Sequence, residues 1–193
     1  NDLNRNVLLT PDRKILYLSI PKCGCSSIKF MLRKNFGDSE IEIKKDIHDI
    51  SSSSLINYEQ IVDQKSFNRF LIEENPFVFS VIRCPKERIL SAYLNKFFEK
   101  DEPGRTRNRL TFGPPLFNFK LNGNELLEKI NNMSFKDFLE IIKELTDLSK
   151  NEHWRPMVSQ LLGLPIENIK IYKLSNLSKL KNDLEKYLSK ELD

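Results

Sequence analysis

Residues 77–93 have the sequence FVFSVIRCPKERILSAY, which predicts a buried strand followed directly by a helix. Phe77–Ile82 is largely apolar on both faces, as strands of a parallel sheet are when helices cover both sides. Pro85 then occupies a first helical position, where its missing N–H costs nothing. The helix predicted at Lys86–Phe98 carries apolar residues at helical spacing. This segment therefore predicts one strand–helix unit of an α/β fold.

Two more strand–helix units are predicted from the same kind of pattern. Lys14–Ile20 is rich in strand formers and is followed, after a turn of small residues, by helical spacing at Ile28–Phe36. A third strand at Ile169–Tyr172 precedes a helix at about Leu177–Leu188. Because strands alternate with helices, we predict an α/β fold of three layers, with a central parallel sheet flanked by helices.

Two segments between these units have their own signals. Ser134 and Asp137 have the spacing of a capping box ahead of an amphipathic helix at Phe135–Leu148. Residues 101–124 hold much of the chain's glycine and proline, which predicts a long loop. With 193 residues and 39% hydrophobic content, we expect a single domain over residues 1–193.

Composition excludes several classes of protein. The formal net charge of +4 is too small to indicate nucleic-acid binding, although it suits an anionic ligand. No stretch has the roughly 18 to 20 apolar residues of a membrane span. Three cysteines without a Cys-x-x-Cys pair, and two histidines, disfavour a disulfide scaffold or a zinc site. We therefore expect no metal and a cytoplasmic location, or the Golgi lumen if an N-terminal anchor has been removed.

The first turn, IPKCGCSSIK at residues 20–29, has the composition of a phosphate-binding loop. A strand that turns sharply into a helix presents backbone N–H groups and the positive end of the helix to an anion. Gly24 allows close approach of the backbone, Ser26 and Ser27 add hydroxyl donors, and Lys22 adds a cation. Taken alone, this segment is equally consistent with an ordinary turn that carries a solvated lysine.

A second anion site is predicted where the strand Phe77–Ile82 ends. Arg83 lies at the carboxyl end of that strand, where open α/β sheets bind ligands, and Ser91 lies two turns into the next helix. An arginine there offers paired donors to a phosphate, although Arg83 could instead cap Glu87 or a carbonyl. The Walker A pattern G-x-x-x-x-G-K-[ST] is absent, which counts against a nucleotide kinase.

Together these segments resemble the PAPS-dependent sulfotransferases, in particular the carbohydrate branch that includes chondroitin 4-O-sulfotransferases. Pro21–Ser27 resembles the family's 5′-phosphosulfate loop, and Val81–Tyr93 resembles its 3′-phosphate segment. Asn151–Pro156, NEHWRP, resembles the His-Trp-x-Pro segment of the same branch. The resemblance implies a P-loop-like fold and transfer of a sulfuryl group from PAPS to a hydroxyl, with PAP as product and no metal.

The resemblance also implies roles for individual residues. Lys22 would stabilise the leaving phosphate, and His48 would be the general base, with Glu59 and Glu40 as alternatives. The residues expected to hold the donor are Pro21, Lys22, Cys23, Gly24, Cys25, Ser26, Ser27, Arg83 and Ser91.

The acceptor is expected to be a glycan hydroxyl. His153 and Trp154 are candidates to line its site, although Trp154 could instead pack in the core. Arg105, Arg107 and Arg109 alternate along the predicted loop, either as a solvated charge run or as a cover over the nucleotide or an anionic acceptor. A P-loop-type nucleotide kinase and a non-catalytic nucleotide-binding scaffold are the alternative functions.

Overall fold

The computed structural model describes residues 7–36, 55–57, 64–98, 104–117, 120–145, 151–161 and 169–192. The chain divides into two compact units. We call the first, residues 1–83 with 161–193, the sheet unit, and the second, residues 84–160, the helical unit. The single domain expected for residues 1–193 stays a prediction.

The sheet unit contains a five-stranded sheet in the order β3-β1-β2-β4-β5. Its strands are β1 (Val7–Leu9), β2 (Ile15–Leu18), β3 (Ile56–Asn57), β4 (Phe77–Ile82) and β5 (Lys170–Lys173). The helices of the chain are α1 (Cys25–Phe36), α2 (Gln64–Glu74), α3 (Pro85–Phe97), α4 (Gly104–Leu116), α5 (Gly123–Asn131), α6 (Phe135–Glu144) and α7 (Leu177–Leu188). The predicted α/β class is confirmed.

The three predicted strands form the parallel part of the sheet. β2 pairs with β4, and β4 pairs with β5, both in parallel. The sequence did not indicate β1 or β3, and β1 runs antiparallel to both β2 and β3. The reason is the short Thr10–Lys14 connection, which joins β1 to β2 as a hairpin because a parallel crossover needs about a dozen residues. The sheet is therefore only partly parallel.

The core of the sheet unit lies between one face of the sheet and two helices. Phe77, Phe79 and Val81 of β4 pack in one cluster with buried residues of α1 and α7. The alternate residues of the central strands, such as Leu16 and Val78, are buried as well. Both faces of β2 and β4 are therefore covered, which explains their continuous apolar sequences.

An aromatic cluster forms the core of the helical unit. Tyr93, Phe97, Phe138 and Trp154 are all buried there, with ring centroids of neighbouring pairs 5.4 to 6.4 Å apart. The Tyr93 hydroxyl donates a hydrogen bond of 2.7 Å to the Met133 carbonyl, so its polar end is satisfied inside the core. These contacts join α3, α6 and the segment that carries Trp154.

The prediction of a long loop at residues 101–124 is wrong over most of that range, because α4 occupies Gly104–Leu116 and α5 begins at Gly123. Glycine and proline suggested a loop, but they have other roles here. A Cβ on Gly113 would lie 2.5 Å from Ile130 Cδ1, so glycine permits close packing of α4 on α5. Pro114 and Pro115 fall in the last turn of α4.

The predicted cap at the start of α6 is confirmed. Ser134 Oγ accepts a hydrogen bond from the Asp137 backbone N–H at 3.2 Å, and the Ser134 backbone N–H donates to Asp137 Oδ2 at 2.9 Å. The helix ends at Glu144, earlier than expected. Within the described ranges, every helix is too short or too polar to cross a bilayer.

We predict that Ser134→Ala lowers the free energy of unfolding by about 1 kcal/mol, because the Asp137 N–H loses its acceptor. Hydrogen bonds from Ser134 lower the pKa of Asp137. The stability that the Asp137 carboxylate adds is therefore fully present above its pKa in the unfolded chain. It is lost as the pH falls through its lower pKa in the folded protein. Urea unfolding at neutral pH and at about pH 2 should show the difference between wild type and variant shrinking in acid.

Asp137→Asn is the matched control, since it lacks the titrating group and should not show this acid-dependent part. An unchanged unfolding free energy of Ser134→Ala at neutral pH would contradict the prediction.

Candidate functional site

The predicted phosphate loop is a strained turn that leads into α1. Lys22 has φ of 66° and Gly24 has φ of 79°, so both lie in the left-handed region. The Cys23 backbone N–H donates to the Ile20 carbonyl at 3.2 Å, which closes the turn. Left-handed backbone is costly for a lysine, and such strain concentrates at functional sites. The conformation of Lys22 therefore marks this turn as a candidate site.

The positive end of α1 is formed by the residues that follow. The Ile28 N–H donates to the Gly24 carbonyl at 3.1 Å, so the helix begins at Cys25. Ser26 and Ser27, the predicted hydroxyl donors, lie exposed in the first turn. Their N–H groups and that of Cys25 have no acceptor within their own helix. This arrangement suits an anion.

Gly24 is required at its position for two separate reasons. Its positive φ disfavours any side chain, and a Cβ there would lie 2.5 Å from Leu174 Cδ1. Leu174 directly follows β5, so the turn packs closely against the end of a neighbouring segment of the sheet unit.

The two cysteines of the turn are reduced and differ in burial. Cys23 is fully buried, and Cys25 is partly buried at the first position of α1. Burial raises the pKa of the Tyr17 phenol on β2, and the neighbouring Cys25 and Cys23 thiols raise it further. Tyr17 therefore stays neutral beside the turn at physiological pH. Pro21 is buried, and Cys84, the third cysteine, is exposed.

Arg83 leaves the sheet at the same edge as the turn. β2 and β4 pair in parallel with Leu18 opposite Ser80, and the Ser80 hydroxyl donates to the Leu18 carbonyl at 2.7 Å. Lys22 follows the end of β2, and Arg83 follows the end of β4, where it is half-buried. The carboxyl edge of the sheet thus carries two cations, as predicted.

Ser91 belongs to the helical unit, where it lies half-buried on α3. Its predicted role beside Arg83 at a 3′-phosphate stays a prediction. His48 and its alternatives Glu40 and Glu59 lie outside the described residues.

Arg88 is a positioning residue for which the sequence predicted no role. It is 2% exposed, and its guanidinium donates to the Glu152 carbonyl at 2.7 Å and to the Arg155 carbonyl at 2.8 Å. These bonds fix the backbone on both sides of His153 and Trp154 to α3. A signal was present, because Arg88 stands one helical turn before the buried Ala92 and so occupies a core position.

The two residues proposed for the acceptor site, His153 and Trp154, lie in different surroundings. Trp154 is 3% exposed and packs edge-on against Phe138, so it lies in the core, which was the alternative noted for it. His153 is partly exposed, and its ring meets Phe112 of α4 edge-on with centroids 5.4 Å apart. Of the pair, His153 is better placed to meet a ligand.

The three arginines of α4 differ in surroundings. Arg109 is buried, donates to the Phe97 carbonyl at 2.9 Å and to Asn131 Oδ1, and is therefore structural. Successive residues of a helix are rotated by about 100°, so Arg105 lies on the same side of α4 as Phe112. Arg107 lies on the opposite side and is exposed. Arg105 is thus nearer to the His153 side of the helix.

A cavity of about 550 Å³ lies beside the same segment in the helical unit. Its wall is mostly apolar and includes Trp154, Pro156 and Met157, with Leu139 and Ile142 from α6. This volume is within the range of small-molecule pockets, roughly 300 to 1,000 Å³. Among the described residues, no group of three or more His, Cys, Asp or Glu side chains is arranged to hold a metal ion.

Comparison with known proteins decides to which family these motifs belong. The model of a family described as the sulfotransferase family matches residues 5–190. The chain belongs to this family. The resemblance found in the sequence is thereby confirmed, and the kinase alternative receives no support. No solved structure matches the chain.

Curated relatives with similar sequences are carbohydrate sulfotransferases. Carbohydrate sulfotransferase 14 of Danio rerio is 26% identical over 170 residues, covering 86% of this chain and 43% of the relative. The Mus musculus protein of the same name is 27% identical over 158 residues, covering 80% and 39%. Carbohydrate sulfotransferase 11 of Rattus norvegicus is 25% identical over 173 residues, covering 82% and 46%. The chain thus spans less than half the length of these relatives.

We predict that Gly24→Ala lowers the free energy of unfolding by about 1 to 2 kcal/mol through its left-handed φ, with a further cost from the Leu174 contact. A double-mutant cycle with Leu174→Ala, measured by urea unfolding, separates the two causes. In the Leu174→Ala background the cost of Gly24→Ala should fall but not vanish. An equal cost in both backgrounds would show that the Leu174 contact contributes nothing.

We predict that Arg88→Met lowers the free energy of unfolding by about 2 to 3 kcal/mol, because it removes two charge-assisted hydrogen bonds while keeping the apolar volume. The single tryptophan of the sequence, Trp154, should report local loosening through its fluorescence. Arg69→Met, which removes an exposed ion pair with Glu73, is the control and should change neither quantity. An Arg88→Met variant as stable as wild type would rule out this role.

Proposed function

We propose that this chain transfers a sulfuryl group from PAPS to a hydroxyl of a carbohydrate. The observation that carries the proposal is the strained Lys22 turn at the carboxyl edge of β2, with Arg83 at the same edge of β4. The names of the curated relatives support a carbohydrate acceptor. The chain's own activity and acceptor are proposals, because it spans less than half of those relatives.

The residues of the turn fit the 5′-phosphosulfate end of the donor. Left-handed φ at Lys22 and Gly24 shapes a loop of backbone N–H groups, and the first turn of α1 adds the hydroxyls of Ser26 and Ser27. In the proposal, Arg83 and Ser91 bind the 3′-phosphate. A metal is not part of this binding mode, because backbone donors and cations supply the countercharge.

The chemistry requires stabilisation of charge on the leaving group and removal of one proton. As the acceptor oxygen attacks sulfur, negative charge grows on the departing phosphate, which Lys22 and the loop N–H groups stabilise. A histidine is suited to take the hydroxyl proton near neutral pH. The sequence favours His48 for this step, and His153 is the other histidine of the chain.

On the acceptor side, the proposal assigns His153 and Arg105 to contacts with the glycan. Arg107 is a weaker candidate because it lies on the opposite side of α4 from Phe112. Trp154 would act from the core, through the wall of the apolar cavity. A cytoplasmic location, expected from the number and spacing of the cysteines, remains part of the proposal.

Calorimetric titration with adenosine 3′,5′-bisphosphate tests the donor site. We expect binding that does not require magnesium and that is weakened at least about tenfold in Arg83→Ala, since a charge-assisted bond is worth 1.5–3 kcal/mol or so. Arg69→Ala, an exposed arginine of α2, is the matched control and should bind as wild type does. A preference for ATP with magnesium, or no bisphosphate binding, would defeat the proposal.

Lys22→Ala should separate binding from transfer. We expect the transfer rate from PAPS to fall about 100- to 1000-fold, because Lys22 acts on charge that develops in the transition state. Bisphosphate binding should weaken far less, and Lys34→Ala, an exposed lysine further along α1, should change neither.

A further inference from the structure

Two thiols flank the glycine of the Lys22 turn. Only Gly24 separates Cys23 from Cys25, and both cysteines are reduced. Consecutive Cα atoms are about 3.8 Å apart, so the Cα atoms of this pair cannot be more than about 7.6 Å apart, and the turn shortens that separation. Disulfides join cysteines whose Cα atoms are roughly 4.4 to 6.8 Å apart. A bond between these two sulfur atoms therefore requires only local movement of the turn.

Both thiols lie near the same hydroxyl group of the sheet unit. Burial is the largest cause that raises the pKa of the Tyr17 phenol on β2, and the Cys25 and Cys23 thiols raise it further. Electrostatic effects of this kind weaken with distance, so each sulfur atom must be close to the phenol. The two thiols are therefore neighbours in space as well as in sequence.

The two thiols differ in their access to solvent. Cys25, at the first position of α1, is partly exposed, whereas Cys23 is fully buried. Oxidation of a thiol depends on its exposure, and redox-sensing cysteines are often accessible thiols with a second cysteine beside them. The second thiol resolves the oxidised form of the first as a disulfide. The exposures assign the first role to Cys25 and the second to Cys23.

The conformation of the turn favours such a change. Lys22 and Gly24 both have left-handed φ, and for a lysine this backbone conformation costs on the order of 1 to 3 kcal/mol. The close neighbour of Gly24 is the side chain of Leu174, which can change rotamer more easily than backbone can move. Release of the strain at Lys22 would offset part of the cost of drawing Cys23 out of its buried position.

We propose that Cys23 and Cys25 are a thiol pair that hydroperoxides oxidise to a disulfide, and that this modification switches off donor binding at the turn. The switch rests on the proposed function. Cys25 sulfur attacks the O–O bond of the hydroperoxide, which gives a sulfenic acid, Cys–S–OH, and releases an alcohol, or water from hydrogen peroxide. Cys23 sulfur then attacks the sulfenic sulfur, the S–S bond forms, and water leaves. The two thiols lose two electrons and two protons, which the peroxide gains.

The disulfide would act on the donor site through the backbone. It closes a small ring through Cys23, Gly24 and Cys25, so the N–H groups that shape the phosphosulfate loop lose their arrangement. Cellular thiols reverse the reaction by thiol–disulfide exchange. In reducing compartments protein disulfides are usually transient or redox-sensing, which agrees with the cytoplasmic location proposed for this chain.

The disulfide can be measured without donor or acceptor. In the full chain with Cys84→Ser, Cys23 and Cys25 are the only cysteines. Hydrogen peroxide should lower the intact mass of this protein by two hydrogen atoms, and dithiothreitol should restore it. With Cys23→Ala added, the same treatment should add oxygen instead, and dimedone, which traps sulfenic acids, should label Cys25. An unchanged mass, or a disulfide found only between two molecules, would overturn the proposal.

Calorimetry with adenosine 3′,5′-bisphosphate tests the switch. The oxidised Cys84→Ser protein should bind it at least about tenfold more weakly than the same protein in its reduced form, because charge-assisted hydrogen bonds are lost, and dithiothreitol should restore the affinity. Bisphosphate present during oxidation should slow disulfide formation, since coupling between the two events is reciprocal. Equal affinities of the reduced and oxidised forms would show that the disulfide is no switch.

The outcomes distinguish this inference from the proposed function. If the reduced protein binds the bisphosphate but peroxide forms no disulfide within the chain, the thiol pair is refuted and the sulfotransferase proposal stands. If the reduced wild type does not bind the bisphosphate, the proposed function fails and the switch fails with it. The mass measurement still decides in that case whether Cys23 and Cys25 form a disulfide.

Discussion

The parallel pairing of β2 with β4 is the constraint on which the rest of the sheet unit depends. The Ser80 hydroxyl of β4 reinforces this pairing, because it donates a hydrogen bond to the Leu18 carbonyl of β2. A buried hydroxyl needs a partner, and here the partner is the last carbonyl of β2 before the chain turns toward Lys22. The register of the strands therefore sets where two cationic loops begin. Without it, Lys22 and Arg83 would be unrelated positions in the chain.

In the helical unit a buried charge has the corresponding role. Arg88 is enclosed by protein, yet its donors bind backbone carbonyls of the His153 segment. Burying a guanidinium is costly unless its hydrogen bonds are made, so the segment has one strongly preferred position against α3. The ring of His153 is held as well, because its Nδ1 lies 2.6 Å from Asn151 Oδ1.

Much of the fold could be predicted from the sequence, and the correct predictions share one cause. Phe77–Ile82 and Leu177–Leu188 were predicted with the bounds observed, because strong apolar periodicity specifies burial directly. The family resemblance was also visible, because Arg83 and Pro85 come at fixed distances from a buried strand. At these positions the local sequence pattern predicts the same structure that the tertiary contacts favour.

The misses arose where distant contacts override local signals. Gly113 and two prolines suggested a loop, but the glycine is a packing device between α4 and α5. β1 is three residues long and is a strand only because β2 and β3 pair with it. Arg88 was not singled out from the sequence, since its carbonyl partners lie more than sixty positions away.

The position of β5 has a consequence for how copies of this protein behave together. In the described sheet β5 is an outermost strand, and the backbone groups on its outer side are a template on which another chain could add a strand. Lys170 and Lys173 are both exposed on this strand, and Lys170 covers the Phe77 ring with its ammonium 4.1 Å from the ring centre. A second β5 would have to bring the same lysines alongside, and like charges would repel. The sheet thus carries its own protection against aggregation through that edge.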